Sequence, residues 1–324
     1  MIRPRRNRSS AWIRNLIAEN NLSVNDLIMP FFVTDGTNFK KAISAMPGQF
    51  IFSIDLLLKE IKKAKDLGIP AIMIFPETDA KLKTADGKEA LNSKNLICRA
   101  VKEIKKQVPG IGVICDVALD PYTSHGHDGV LNKNGDVAND ATVEILCQQA
   151  LVQAKAGCDA VAPSDMMDGR IAAIREYLDK NGFQNVGIIS YCVKYASHFY
   201  GAFRNAIGSS QNLKKADKKT YQMDFRNCDE ALREIKLDEK EGADMLIIKP
   251  GISYLDIVVK AKQNCNLPII SYQVGSEYSM LKLAAKEGLI DFNEGMLENL
   301  TSFKRAGASA IISYGAIEMA EYLA

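Results

Sequence analysis

One construction recurs four times and restricts the fold more than any other feature of the chain. An amphipathic helix ends at a glycine, a link of a few residues follows, and an apolar run begins. It reads Leu67-Gly68-Ile69-Pro70-Ala71-Ile72, Ala156-Gly157-Cys158-Asp159-Ala160-Val161, Glu241-Gly242-Ala243-Asp244-Met245-Leu246 and Ala306-Gly307-Ala308-Ser309-Ala310-Ile311. Glycine closes a helix in the left-handed conformation at little steric cost. The short link then feeds a buried strand, which is the helix-to-strand joint of a parallel sheet covered on both faces.

Eight strands follow from this reading: Leu27–Val33, Ala71–Phe75, Gly112–Val117, Asp159–Ala162, Val186–Tyr191, Met245–Lys249, Pro268–Tyr272 and Ala310–Tyr314. Most are continuous apolar runs, as expected where helices cover both faces. Helical patterns lie between them. Ser53 reads as an N-cap before Ile54, Leu57, Leu58, Ile61 and Ala64 on one face. Asp168 reads as the N-cap of a stripe through Ile171, Ile174 and Leu178, and later helices fall near 229–241, 253–264, 277–287 and 293–306. Eight alternations favour a closed (β/α)8 TIM barrel over an open doubly wound sheet, and no glycine-rich phosphate fingerprint follows the first strand. The barrel is expected over residues 27–324. Residues 1–26, with a short helix near 9–20, form an N-terminal arm expected to pack on a neighbouring subunit.

Charge removes several function classes. The 41 basic and 39 acidic residues leave a net charge of +2, which calls for neither a nucleic-acid nor a membrane partner. The basic cluster Arg3, Arg5, Arg6, Arg8 reads as part of the arm. No apolar run reaches the roughly 18 residues that span a bilayer, and no signal-type apolar segment follows the arginines. The seven cysteines form no C-x-x-C pair and sit in apolar segments. Buried free thiols and a cytoplasmic location are the expectation.

Polar residues gather where strands end. The third strand carries Asp116 and continues to Asp120; the fourth runs into Ser164, Asp165 and Asp168; Lys194 follows the fifth and Lys249 ends the sixth; Tyr272 and Tyr314 end the last two. These ends form the face on which such barrels keep their active sites. Two connections, about 118–140 and 195–228, are long enough to be lids over it. Either lysine alone reads equally well as a snorkelling or salt-bridged residue. Two on adjacent strands, opposite aspartates, point to amine chemistry. Burial and a second cation both lower a lysine pKa, and a neutral amine attacks ketones. His125 and His127 suggest zinc, but no cysteine beyond Cys115 lies in that segment, and its many oxygens favour a hard cation or none. The second long connection holds Arg204, Lys214, Lys215, Lys218 and Lys219 with Tyr221 and Gln222. As a lid, these cations suit a substrate carboxylate.

Four segments carry a resemblance: Asp116 through Gly129, Ala162 through Arg170, Lys194-Tyr195-Ala196-Ser197, and Ile248-Lys249-Pro250-Gly251 followed by Tyr254-Leu255-Asp256. With the Arg3-Pro4-Arg5-Arg6 arm, the chain resembles the porphobilinogen synthase (5-aminolevulinate dehydratase) family along its whole length. The resemblance implies condensation of two 5-aminolevulinate molecules to porphobilinogen, with loss of two waters, in tetrapyrrole and haem synthesis. It makes Lys249 the Schiff-base residue for the propionyl-side substrate and Lys194 that for the acetyl-side substrate. Arg204, Lys218 and Gln222 match lid positions on the acetyl-side substrate, Tyr314 matches a carboxylate partner of the other, and Asp116 and Asp165 belong to the substrate site. Zinc-dependent members carry cysteines where this chain has Ala118, Asp120 and Asp128. The chain is thus similar to aspartate-rich members without catalytic zinc, with Asp120 and Asp128 as a possible site for another cation. Glu234 matches the ligand of an activating, allosteric magnesium, and a homo-octamer assembled through the arms is implied.

One departure stands out. The family's Val-Ser-Gly-Glu is Val274-Gly275-Ser276-Glu277 here, so the serine that binds a substrate carboxylate is displaced by one position. Ser276, through backbone adjustment, or a water is expected to supply that contact. Two other readings remain. One is a Schiff-base aldolase acting on a sugar phosphate, which needs a phosphate pocket near the last two strands. The other is a binding module that merely retains the barrel.

Overall fold

The computed structural model describes residues 1–206 and 217–324, apart from the side chains of residues 204 and 205. Its strands are β1 (Leu27–Thr34), β2 (Lys40–Ala42), β3 (Phe50–Ser53), β4 (Ala71–Pro76), β5 (Gly112–Val117), β6 (Ala160–Pro163), β7 (Gly187–Lys194), β8 (Met245–Lys249), β9 (Ile269–Gln273) and β10 (Ala310–Ser313). Strands β1 and β4 to β10 pair in parallel, each with the next, and β10 returns to β1 through Leu27 opposite Ile311 and Ile28 opposite Ile312. The sheet is therefore a closed eight-stranded barrel with helices between its strands.

The four glycine joints behave as their sequence requires. Gly68, Gly157, Gly242 and Gly307 all have positive φ, between 88° and 110°, where a side chain would strain the backbone. Each helix then turns its apolar stripe inward. Ile54–Asp66 buries Leu57, Leu58, Ile61 and Ala64. Leu96–Gln107 buries a face from Leu96 to Ile104, and the Asn95 side-chain oxygen Oδ1 caps it by accepting from Cys98 N at 2.8 Å.

Two expectations need correction, and one pairing is new. The helix Arg170–Lys180 is preceded by Gly169 at φ 73°, so Asp168 is not its cap; the Asp168 N–H donates instead to Asn139 at 2.8 Å. The fifth barrel strand continues past Tyr191 to Lys194, across a break in register between Ser190 and Val193. The antiparallel pair β2 and β3 was not foreseen, because Lys40-Lys41-Ala42 is exposed and largely charged and the apolar run at Phe50–Ser53 is too short to mark a strand; the pair joins the outer end of β1 through Phe32 opposite Ile51.

Residues 1–26 form a turn of 3₁₀ helix at Pro4–Arg8 and a short helix at Ala11–Leu16, and none of these residues is buried in the single chain. No helix among the described residues is long and apolar enough to cross a membrane. The cysteines are free thiols, buried except for the half-buried Cys228.

Candidate active site

The β7–β8 register places Lys194 directly opposite Lys249. A regular strand would send Tyr191 and Lys194, three residues apart, to opposite faces. The irregularity between Ser190 and Val193 brings both to the barrel mouth, where the Lys194 and Lys249 ammonium groups lie 5.9 and 5.3 Å from the centre of the same Tyr191 ring. Both lysines line one cavity with Phe75, Asp116, Asp120, Ser164, Tyr200, Phe203, Lys218 and Gln222.

The two amines have different surroundings. Lys194 donates to the Ser164 carbonyl and lies 3.4 Å from Asp128. Lys249 is only 5% exposed and meets ring faces, with Tyr272 at 4.4 Å and Phe203 at 4.8 Å; among the described residues it has no carboxylate within ion-pair distance. Burial first, and the Lys194 cation second, push Lys249 down to about 7. Much of it is therefore a neutral amine near neutral pH.

The carboxylates divide in the same way. Burial raises Asp116 to about 7 against the pull of Lys194, and its Oδ1 has no hydrogen-bond partner among the described residues. Burial also acts on Asp128, but Lys194 and Lys218 together outweigh it and hold that carboxyl well below the usual range. Lys218 reaches Asp128 at 2.6 Å and Asp120 at 3.2 Å. Burial raises Asp120, with Lys218 opposing. An additional cation at Asp120 and Asp128 would have to displace the Lys218 ammonium, so this pair does not fit a resident metal in the described arrangement.

Other expected residues are dispersed. Gln222 lines the cavity, and its buried Oε1 has no partner among the described residues. Tyr314 is buried, with its hydroxyl 3.2 Å from that of Tyr272. Asp165 is not among the cavity-lining residues; its carboxylate accepts from Met167 N at 2.7 Å and faces Arg170 at 3.8 Å. Ser276 is half-buried at the second position of the helix Gly275–Lys286 and is not part of the cavity lining. At Gly275, an added Cβ would lie 2.5 Å from Met46 Sδ and 3.2 Å from Ala202 Cβ. Met46 thus fills the space that a serine side chain would need. The side chain of Arg204, and Lys214 and Lys215 entirely, lie outside the described residues. His127 shares a hydrogen bond with Tyr221 at 3.1 Å, which links the two long connections.

Glu234 lies elsewhere. It borders a cavity of about 510 Å³ with Asp136, Asp168, Asp224 and Glu230. Burial raises its carboxyl pKa, with Asp238 adding to the shift. Among the described residues no three His, Cys, Asp or Glu side chains converge to hold a metal directly. A roomy acidic cavity with a single leading carboxylate nevertheless suits magnesium, which binds one or two carboxylates and keeps several waters.

The aromatic surround of Lys249 was not foreseen. Tyr272 was placed at its strand end; the irregularity in β7 adds Tyr191, and Tyr200 and Phe203 fold over the barrel mouth to complete it.

A family model for Delta-aminolevulinic acid dehydratase matches residues 1–322. The chain belongs to the delta-aminolevulinic acid dehydratase family. It is accordingly a dehydratase of porphobilinogen synthesis. The delta-aminolevulinic acid dehydratase of Bradyrhizobium diazoefficiens is 53% identical over 322 residues, covering 99% of this chain and 91% of that protein. That of Chlamydia pneumoniae is 49% identical over 321 residues, covering 99% and 96%. The solved delta-aminolevulinic acid dehydratase (porphobilinogen synthase) of Toxoplasma gondii, in complex with the reaction product porphobilinogen, superposes with a TM-score of 0.97 at 47% identity, covering 99% of this chain and 91% of that one.

Proposed function

We propose that the chain condenses two 5-aminolevulinate molecules to porphobilinogen through Schiff bases on Lys249 and Lys194, without catalytic zinc. The observation that carries this reading is the pair of buried amines facing one cavity from registered positions on adjacent strands. Lys249, poised near neutrality, attacks the ketone of one substrate and expels water as the imine forms. The iminium then draws electrons from the adjacent carbon and eases loss of its proton. Asp116, raised to about 7 with an unpaired oxygen among the described residues, is suited to take and return protons. Lys218 and Gln222 present polar groups to the second substrate, with Arg204 as a further cation.

Ala118, Asp120 and Asp128 offer no thiolates, which supports the zinc-free subtype. The exposed Trp12, Leu16 and Ile17 support reading residues 1–26 as an arm that assembles a homo-octamer. The deciding assay incubates the purified protein with 5-aminolevulinate and follows porphobilinogen. Product formation that survives a zinc-selective chelator is expected, as is borohydride trapping of substrate on Lys249. No product under any metal condition would overturn the assignment.

Magnesium at Glu234 is the cofactor of this reading. It would supply fixed positive charge beside the acidic cavity; Glu234 would hold it, and the neighbouring carboxylates would order its waters. At a hundred times its dissociation constant a ligand stabilises the folded state by about 2.7 kcal/mol. The wild type should therefore melt higher with magnesium, and Glu234→Ala should lose both that shift and any magnesium-dependent rise in activity. A Glu234→Ala melting shift equal to that of the wild type would place the ion elsewhere.

A further inference from the structure

Glu277 is a buried carboxylate that contributes nothing to the lysine cavity, yet it touches the segment that carries Lys249. It is the third residue of the helix Gly275–Lys286 and is 2% exposed. Its Oε2 accepts from Val274 N at 2.8 Å, as expected of an acid in the first turn. That bond alone would suffice for capping. The same carboxylate also crosses to a different connection, where it accepts from Ile252 N at 2.7 Å and Gly251 N at 3.4 Å. One side chain therefore ties the segment after β8 to the segment after β9.

The geometry leaves that segment little freedom. A Cβ at Gly251 would lie 2.5 Å from the Phe303 ring and 2.9 Å from the Tyr272 carbonyl oxygen. On its other side the Lys249 carbonyl accepts from Tyr195 N at 3.0 Å and from the Tyr200 hydroxyl at 3.1 Å. Lys249 is thus held at its own carbonyl by β7 and its extension, and two residues on by Glu277. Burial raises the Glu277 carboxyl to about 7, while the N–H donors of Val274, Ile252 and Gly251 favour the anion. A carboxylate kept in so dry a place for capping alone would be a poor arrangement, since a serine or asparagine caps without the burial cost.

We propose that Glu277 is a positioning residue for catalysis, which holds the backbone after Lys249 so that its amine stays inside the aromatic pocket. It is not among the residues that line the lysine cavity and acts through the Gly251 and Ile252 N–H groups. The inference rests on the reading of Lys249 as a Schiff-base residue. Misplacement of a reacting group by about 1 Å costs on the order of a hundredfold in rate.

The test compares wild type, Glu277→Gln, Glu277→Asp and Ser279→Ala. Ser279 lies in the same helix and donates to the Ala45 carbonyl at 2.8 Å, away from the Lys249 segment, so it controls for simple loss of stability. For each protein, kcat, KM, melting temperature and the pH midpoint of borohydride trapping with 5-aminolevulinate are measured. Glutamine turns an amide N–H toward backbone donors, and aspartate retreats from Ile252 while it keeps its charge. Both should lower kcat about tenfold to a hundredfold with a smaller change in KM. Both should also move the trapping midpoint upward as the lysine meets more water. Ser279→Ala should melt lower with kcat and midpoint unchanged. Should Glu277→Gln fail to fold, Glu277→Asp alone decides. Glu277 variants that trap at the wild-type midpoint with wild-type kcat would overturn the positioning role. Absence of trapping on Lys249 in the wild type would instead overturn the Schiff-base reading, and this inference with it.

Discussion

A Lys249→Met variant is expected to fold and to lose roughly ten-thousand-fold or more of kcat, the scale on which removal of a catalytic nucleophile acts. Methionine fills the aromatic pocket of Tyr191, Tyr200, Phe203 and Tyr272 about as well as the lysine stem, so melting should change little. Borohydride trapping at this position should vanish. The pH dependence of the wild type carries the same argument. Lys249 is held at about 7 by burial and by Lys194. Below that pH the amine is protonated and its reactivity falls about tenfold per unit; above it the reactivity levels off. Lys194→Met removes the nearby cation, so the Lys249 trapping midpoint should rise. Asp116→Asn removes a charge that favours the ammonium, so the midpoint should fall. Midpoints that do not move in these opposite directions, measured by trapping across pH, would refute the electrostatic account.

The second large effect concerns stability. Arg170 is 2% exposed and binds Asp238 through both terminal nitrogens, at 2.9 and 3.1 Å. The same guanidinium donates to Ser190 and the Tyr191 carbonyl. Burial opposes its charge, but Asp238 and Asp165 outweigh burial and keep it protonated. Arg170→Met strands two buried carboxylates and should cost about 3–5 kcal/mol. Arg170→Met with Asp238→Leu should recover part of that loss, since an uncompensated charge is worse than none. Urea melts of the two variants would check this; a double variant no more stable than the single one would count against the pairing. Ser164 and Asp165 lie in the connection that leads to this arginine, and the Ser164 carbonyl holds Lys194. Loosening Arg170 should therefore lower activity as well, even at temperatures where the protein is folded.

Much of this molecule is legible in its sequence. The four glycine joints announced a parallel sheet because a left-handed helix end and a short link admit few other geometries. Eight apolar runs gave the number of barrel strands, though not β2 and β3. Lys194, Lys249, Asp116 and Asp120 stood at strand ends, and every active barrel presents those ends on one face. Asp165 shows the limit of that inference. It too follows a strand, but its partners are Met167 N and Arg170, a residue whose burial no local pattern marks.

Pattern and spacing decide which way a chain alternates and where it turns, since these depend on neighbours within a few residues. They gave the barrel here, and they put the two lysines at strand ends. Folding alone decided which groups meet across the mouth. The break in β7 swings Tyr191 and Lys194 to one side, Met46 fills the space at Gly275, and Glu277 reaches across to the segment behind Lys249. Each depends on atoms far apart in the chain brought within a few ångströms, and the dry surroundings that lower the Lys249 pKa exist only once those atoms have met.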